Sequence, residues 1–197
     1  MDNEKQQPQA TEEAAPISKE RIASTLLDVL ESFVLAAMAV LILFTCAFRV
    51  SIVKGQSMED TLFEGDVILL HDVFYTPKYG DIVVIHQPTP HYPDPLVKRI
   101  IAVGGQTVDI DFSTWEVTVD GVVLEEDYMK LETDRRITSD YTFPMTIPEG
   151  YVFVMGDNRN HSADSRSSDI GLIDERSILG KFIWRVCRIP IPSAEEE

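Results

Sequence analysis

Leu96-Val97-Lys98-Arg99-Ile100-Ile101-Ala102-Val103 is a run of six apolar residues and two adjacent cations that stops at Gly104-Gly105. Branched aliphatics at this density, ended by glycines, read as a β-strand, and apolarity this continuous places the strand inside a sheet, buried on both faces. Alternation puts Lys98 and Arg99 on opposite faces, so one can be buried while the other stays in water. Burial disfavours an ammonium and lowers its pKa, so a lysine set among Leu96, Val97, Ile100 and Ile101 can supply a neutral amine, which is a base. At a solvated strand edge the same residue would be an ordinary surface cation. The strand by itself leaves both readings open.

Other strands surround it in sequence. Asp66-Val67-Ile68-Leu69-Leu70-His71 and Asp81-Ile82-Val83-Val84-Ile85-His86 are short β-branched runs bounded by Gly65 and Gly80, and they too read as buried on both faces. Residues 107–110 and 115–119 alternate more clearly, and Asp120-Gly121 predicts a hairpin turn before Val122-Val123-Leu124. Residues 125–146 are charged and irregular, after which strands resume at 151–155 and 178–189. Four prolines make residues 87–95 a loop between core strands. No long amphipathic helix is evident after residue 50. The body is therefore expected to be mainly β: an all-β core formed by residues 49–105 and 148–190, with a smaller inserted β domain at about 106–147 and an acidic tail at 191–197.

The N-terminal quarter differs. Residues 1–25, rich in Gln, Glu, Ala and Pro at first, read as a solvated tail, and residues 26–48 as a transmembrane anchor. The uncharged stretch 32–48 would span roughly 25 Å as a helix, and residues 26–31 extend it toward the thickness of a bilayer. A buried soluble helix would show a polar stripe, which this run lacks. A cleaved signal would begin with a basic segment at the extreme N-terminus, whereas this run follows an acidic tail. Bulky Phe44 argues against a lipidation site at Leu43-Phe44-Thr45-Cys46. Charge does not orient the span, because Lys19 and Arg21 precede it while Arg49 and Lys54 follow it.

Composition excludes some functions. A formal charge of -16, with 26 acidic against 13 basic residues from position 50 onward, argues against a nucleic-acid partner. Cys46 lies in the apolar run and Cys187 near the other end of the chain, so two free thiols are expected. The histidines at 71, 86, 91 and 161 form no ligand spacing, and neither a metal nor another cofactor is expected.

Two polar segments complete the pattern. Gly55-Gln56-Ser57-Met58-Glu59-Asp60-Thr61-Leu62 follows the apolar run, and Gly156-Asp157-Asn158-Arg159-Asn160-His161-Ser162-Ala163-Asp164-Ser165-Arg166 follows the strand at 151–155. Taken alone, Ser57 is an ordinary loop serine, Gly156-Asp157-Asn158 a turn and Asp164/Arg166 a structural ion pair. In this order with the lysine strand, from about Ser32 to Pro190, the three segments resemble the bacterial type I signal peptidases, membrane-anchored serine/lysine endopeptidases that remove signal peptides from exported proteins.

The resemblance implies a β-sheet catalytic core with an inserted second domain. It also implies Ser57 as nucleophile, Lys98 as general base and the Ser57 backbone N–H as an oxyanion donor. Gly55 stands where some members carry a hydroxyl, so only its backbone could contribute there. Ser162 matches the group that orients the lysine amine, while Asp157, Asp164 and Arg166 match a polar group beneath the site. Met58 is expected at a substrate-side edge facing the membrane. Implied partners are secretory preproteins with small residues at the first and third positions before the cut, the lipid bilayer and the secretion machinery. The implied location is the plasma membrane, with the N-terminus cytoplasmic and the catalytic body extracytoplasmic.

One position departs from the family pattern: Asp60 stands where proline is usual. Its carboxylate is expected near Lys98, favouring the ammonium and displacing the pH dependence. That departure keeps open an inactive, membrane-anchored signal-peptide-binding scaffold. A self-cleaving repressor-type serine/lysine protease is the other alternative, though it should carry a DNA-binding head in place of a span.

Overall fold

The computed structural model describes residues 19–132 and 139–190. Helix α1 (Lys19–Ala47) passes directly into β1 (Phe48–Ile52), so the helix begins inside the stretch read as tail and ends one residue before the expected boundary. Residues 23–42 are long and apolar enough to cross a membrane, and none of that segment is buried against protein. The chain divides into two compact units, one ending at Phe44 and the other beginning at Thr45.

The strands of the second unit follow in order: β2 (Asp66–His71), β3 (Ile82–Ile85), β4 (Leu96–Val103), β5 (Thr107–Ile110), β6 (Val117–Val119), β7 (Val122–Val123), β8 (Met145–Thr146), β9 (Tyr151–Met155), β10 (Ile173–Asp174) and β11 (Ile178–Arg188). They form a seven-stranded sheet in the order β1-β2-β11-β3-β4-β9-β10 and a four-stranded sheet in the order β7-β6-β5-β8. Every pairing within the two sheets is antiparallel.

β3 and the centre of β4 are buried on both faces, as expected of mainly apolar strands inside a sheet. β2 differs from expectation: it alternates buried and half-buried residues, because only one face meets the core. Asp120 and Gly121 both adopt positive φ (53° and 78°), the backbone that lets a two-residue turn follow strand twist, and Val119 pairs with Val122 across it.

The small sheet does not have a core of its own. Ile101, Ala102, Phe153 and Met155 of the large sheet share one apolar cluster with Val108, Ile110, Val117 and Val119 of the small one. A second cluster, Val53, Met58, Leu62, Ile68, Leu70, Ile82, Val84 and Val97, lies on the β2–β3 side. At the β1 end, Val50, Ile52, Trp184 and Val186 leave large apolar side chains exposed. Cys187 is an exposed free thiol, while the Cys46 side chain lies outside the described residues.

Candidate active site

Lys98 lies mid-way along β4, opposite Val83 of β3, and is only 2% exposed. Its Nζ is 2.7 Å from Ser57 Oγ and donates to its neighbour's carbonyl, Val97 O, at 3.0 Å. Burial pushes the amine down to about 8; the Asp164 carboxylate pulls it back up, Arg166 lowers it further, and Asp157 raises it. An amine near 8 is partly neutral around physiological pH, and a neutral amine at 2.7 Å can accept the serine proton.

Ser57 sits on a loop closed at its base by Val53 N donating to Asp66 O and Gly65 N to Val53 O, each at 2.9 Å. Within it, Thr61 N and Leu62 N both donate to Met58 O at 2.8 Å, forming a tight turn just past the serine. Met58, expected at a substrate edge, is instead 1% exposed in the apolar cluster with Val53, Leu62 and Val97. A thioether there anchors the turn from beneath, so Met58 holds the nucleophile loop and offers no face to substrate.

The segment 156–166 supports the loop from the other side. Asn158 N donates to Ser57 O at 3.0 Å, and the Asn158 side-chain amide donates to Gln56 O at 3.1 Å. Gly156 packs where a Cβ would collide with the Ser162 side chain and with Ser57 O, so only glycine permits this approach.

Ser162 Oγ donates to Asp164 Oδ2 at 2.6 Å, and Arg166 grips the same carboxylate through Nε and Nη2, each at 2.7 Å. Burial alone would raise the Asp164 carboxyl; the Arg166 charge, together with hydrogen bonds from Arg166, Ser162 and the Gly156 N–H, outweighs it and holds the group below its ordinary value. Ser162 thus reaches the site through Asp164, and its hydroxyl is engaged there and not by the lysine amine.

Three further expectations change with the tertiary structure. Arg99, read as the solvated neighbour of Lys98, is itself buried: Nε and Nη2 donate to Asp157 Oδ1 and Oδ2 at 2.8 and 2.6 Å, and the guanidinium lies 3.8 Å from the Tyr128 ring centroid. The segment following the small-sheet hairpin covers the face that a lone strand would expose. Asp157 also accepts from Thr61 Oγ1 at 2.5 Å, which ties Arg99 to the nucleophile turn.

Asp60, expected to bias Lys98, is 71% exposed and pairs with Lys130 at 3.2 Å. The charges acting on Lys98 come from Asp164, Arg166 and Asp157, so the expected electrostatic effect of Asp60 on the base does not hold. The Gly55 N–H, offered as an oxyanion donor, donates to Glu64 Oε1 at 3.1 Å, whereas the Ser57 N–H has no acceptor among the described residues.

Ser57 and Lys98 open into a cleft of about 560 Å³ also lined by Gly55, Leu96, Ser162 and Ala163. Sequence reasoning missed Asn158, Arg99 and Lys130 as parts of the site. Asn158 is visible in its motif, but nothing local marks which main-chain carbonyls it holds.

On a mainly β body, a serine hydroxyl in hydrogen-bonding contact with a buried lysine amine brings together the two groups that a serine hydrolase with an amine base would need. The chain matches the family described as signal peptidase, peptidase S26, over residues 26–187. It is 33% identical to signal peptidase I P of Bacillus subtilis subsp. natto over 82% of this chain and 89% of that protein. It is also 36% identical to a probable signal peptidase I-1 of Synechocystis over 68% of each chain. A crystal structure of signal peptidase I from Enterococcus faecalis aligns with a TM-score of 0.44 at 30% identity, covering 54% of this chain and 97% of that one. The chain belongs to the S26 signal peptidase family. It is a serine endopeptidase that cleaves signal peptides, and its substrates are preproteins that carry them.

Proposed function

We propose that Ser57 and Lys98 form the catalytic dyad of this signal peptidase. The observation that carries this reading is the 2.7 Å contact between Ser57 Oγ and Lys98 Nζ, made by a lysine whose burial brings its pKa to about 8. With Lys98 neutral, the Ser57 hydroxyl donates to Nζ, and Oγ attacks the scissile carbonyl carbon as its proton passes to the amine. The Ser57 N–H donates to the developing oxyanion. Collapse breaks the C–N bond, the Lys98 ammonium returns the proton to the departing amine, and an ester remains on Ser57. Lys98 then takes a proton from water, the water attacks the ester carbonyl, and Ser57 is regenerated as the signal peptide leaves with a new carboxylate.

Asp164 and Arg166 fix the field around the amine, and Ser162 acts on it through Asp164. The substrate lies in the cleft as an added extended strand, its small side chains entering shallow pockets near Leu96 and Ala163. α1 is the membrane anchor, with its N-terminus cytoplasmic and the β body on the outer face of the plasma membrane, where exported preproteins emerge from the secretion machinery. Exposed Val50, Ile52, Trp184 and Val186 support a lipid-facing surface at that end of the sheet.

Ser57→Ala and Lys98→Met each reduce peptide cleavage by several orders of magnitude while circular dichroism stays native, since nucleophile and base act as a unit. A serine-directed acylating probe labels the wild type and not Ser57→Ala. Labelling that persists in Ser57→Ala, or normal cleavage by Lys98→Met, would refute the dyad.

A further inference from the structure

We infer that Lys130 is a positioning residue for the nucleophile, acting through the carboxylates of Glu59 and Asp60. The inference rests on the dyad assignment. Lys130 lies outside all three segments that carry the family resemblance, in the irregular stretch after the hairpin of the small sheet. Its main chain pairs with the segment beneath the site: Lys130 N donates to Asp157 O at 2.8 Å, and Arg159 N donates to Lys130 O at 3.0 Å. That places it in a parallel bridge opposite Asn158, the residue that holds Gln56 O and Ser57 O.

From this fixed backbone the Lys130 side chain reaches across to the turn after Ser57. Nζ donates to Glu59 Oε2 at 3.3 Å and to Asp60 Oδ1 at 3.2 Å. The serine is therefore bracketed. Asn158 holds the two residues that end in Ser57, and Lys130 holds the two that follow Met58. Both anchors come from one two-residue bridge.

Glu59 is half-buried and Asp60 largely exposed, with Lys130 between them at 34% exposure. Without the cation, two adjacent carboxylates would repel each other within the turn that aims Oγ. The hydrogen bonds to Asp60 and Glu59 raise the Lys130 ammonium above its ordinary value, so it stays charged wherever the dyad works. Asp60 thus accepts from a lysine that reaches over from the segment after the small-sheet hairpin.

The test uses the full chain in detergent with a soluble signal-sequence peptide, alongside Ser57→Ala. Lys130→Met keeps the alkyl stem and removes the charge; it is expected to lower kcat about threefold to fivefold, with KM nearly unchanged and the unfolding temperature close to wild type, because a part-exposed pair contributes little to global stability. Lys130→Arg restores kcat. In a Glu59→Gln/Asp60→Asn background, Lys130→Met has no further effect, because its partners are already gone.

An unchanged kcat in Lys130→Met overturns the inference, as does an Arg variant that is as slow as Met, or an equal loss in the doubly neutralised background. An inactive wild type, or an active Ser57→Ala, would refute the dyad itself and with it this inference. An active wild type with a silent Lys130→Met refutes the positioning role alone.

Discussion

Lys98 is held in an environment that opposes its own charge, and this has consequences for both rate and stability. An amine brought to about 8 by burial makes kcat/KM climb roughly tenfold per pH unit below that value and level off above it. A pH profile on a soluble peptide checks this; an acidic limb centred near the ordinary lysine value of 10.5 would contradict it. The same shift acts on folding. In the unfolded chain the lysine holds its proton up to its ordinary pKa, so between about 8 and 10.5 the unfolded state binds more protons and stability rises with pH. Below pH 8 the folded protein bears the full cost, up to about 3 kcal/mol from a shift of this size. Lys98→Met should therefore raise the unfolding temperature at pH 7, and the gain should shrink near pH 10. Arg99 behaves oppositely. Its guanidinium is the buried partner of Asp157, so Arg99→Ala strands a carboxylate and is expected to destabilise by about 3–5 kcal/mol, read by denaturant unfolding. A solvated Arg99 would instead have made the variant mild.

At the scale of elements, the site is a loop pressed against a turn. β9 ends at Met155, and Gly156 brings the chain beside Ser57 O, close enough that a Cβ would stand only 2.5 Å from that oxygen. Gly156→Ala must displace the Ser162 side chain and the backbone at Ser57, and a displacement of about 1 Å can cost on the order of a hundredfold in rate. The variant is expected to lose kcat with little change in substrate binding, which pre-steady-state acylation separates from KM. Asp60→Asn offers a contrast at the same loop. Its carboxylate faces Lys130, so the acidic limb of kcat/KM should stay in place when that charge is lost.

For the molecule as a whole, the chain divides between Phe44 and Thr45 into a unit that holds the candidate span and a unit that holds the β body. A chain beginning at Thr45 keeps Phe48, which pairs with His71 in the sheet, and every residue assigned to the dyad. It is expected to cleave soluble peptides within about threefold of the full chain yet process membrane-embedded preproteins poorly, because the proposed anchor would supply effective concentration and no chemistry. Loss of peptide cleavage in that variant would mean that α1 contributes to the catalytic fold.

Patterns that are local in the chain are legible in the sequence itself. An unbroken apolar run points to a strand or a span and Asp120-Gly121 to a tight hairpin, whereas a lysine among Val97, Ile100 and Ile101 is a buried base or a solvated edge cation according to what packs on its face. The first two depend on near neighbours and on the period of the backbone. The carboxylate that pairs with Arg99 and the cation that pairs with Asp60 stand 58 and 70 positions away along the chain. The cluster that encloses Met58 draws on β2, β3 and β4 together. Such partners meet only through sheet pairing and through the path of the segment that follows the small-sheet hairpin. Alternation can assign side chains to opposite faces of a strand, but what lies against each face is decided by packing, and in β4 both faces are covered.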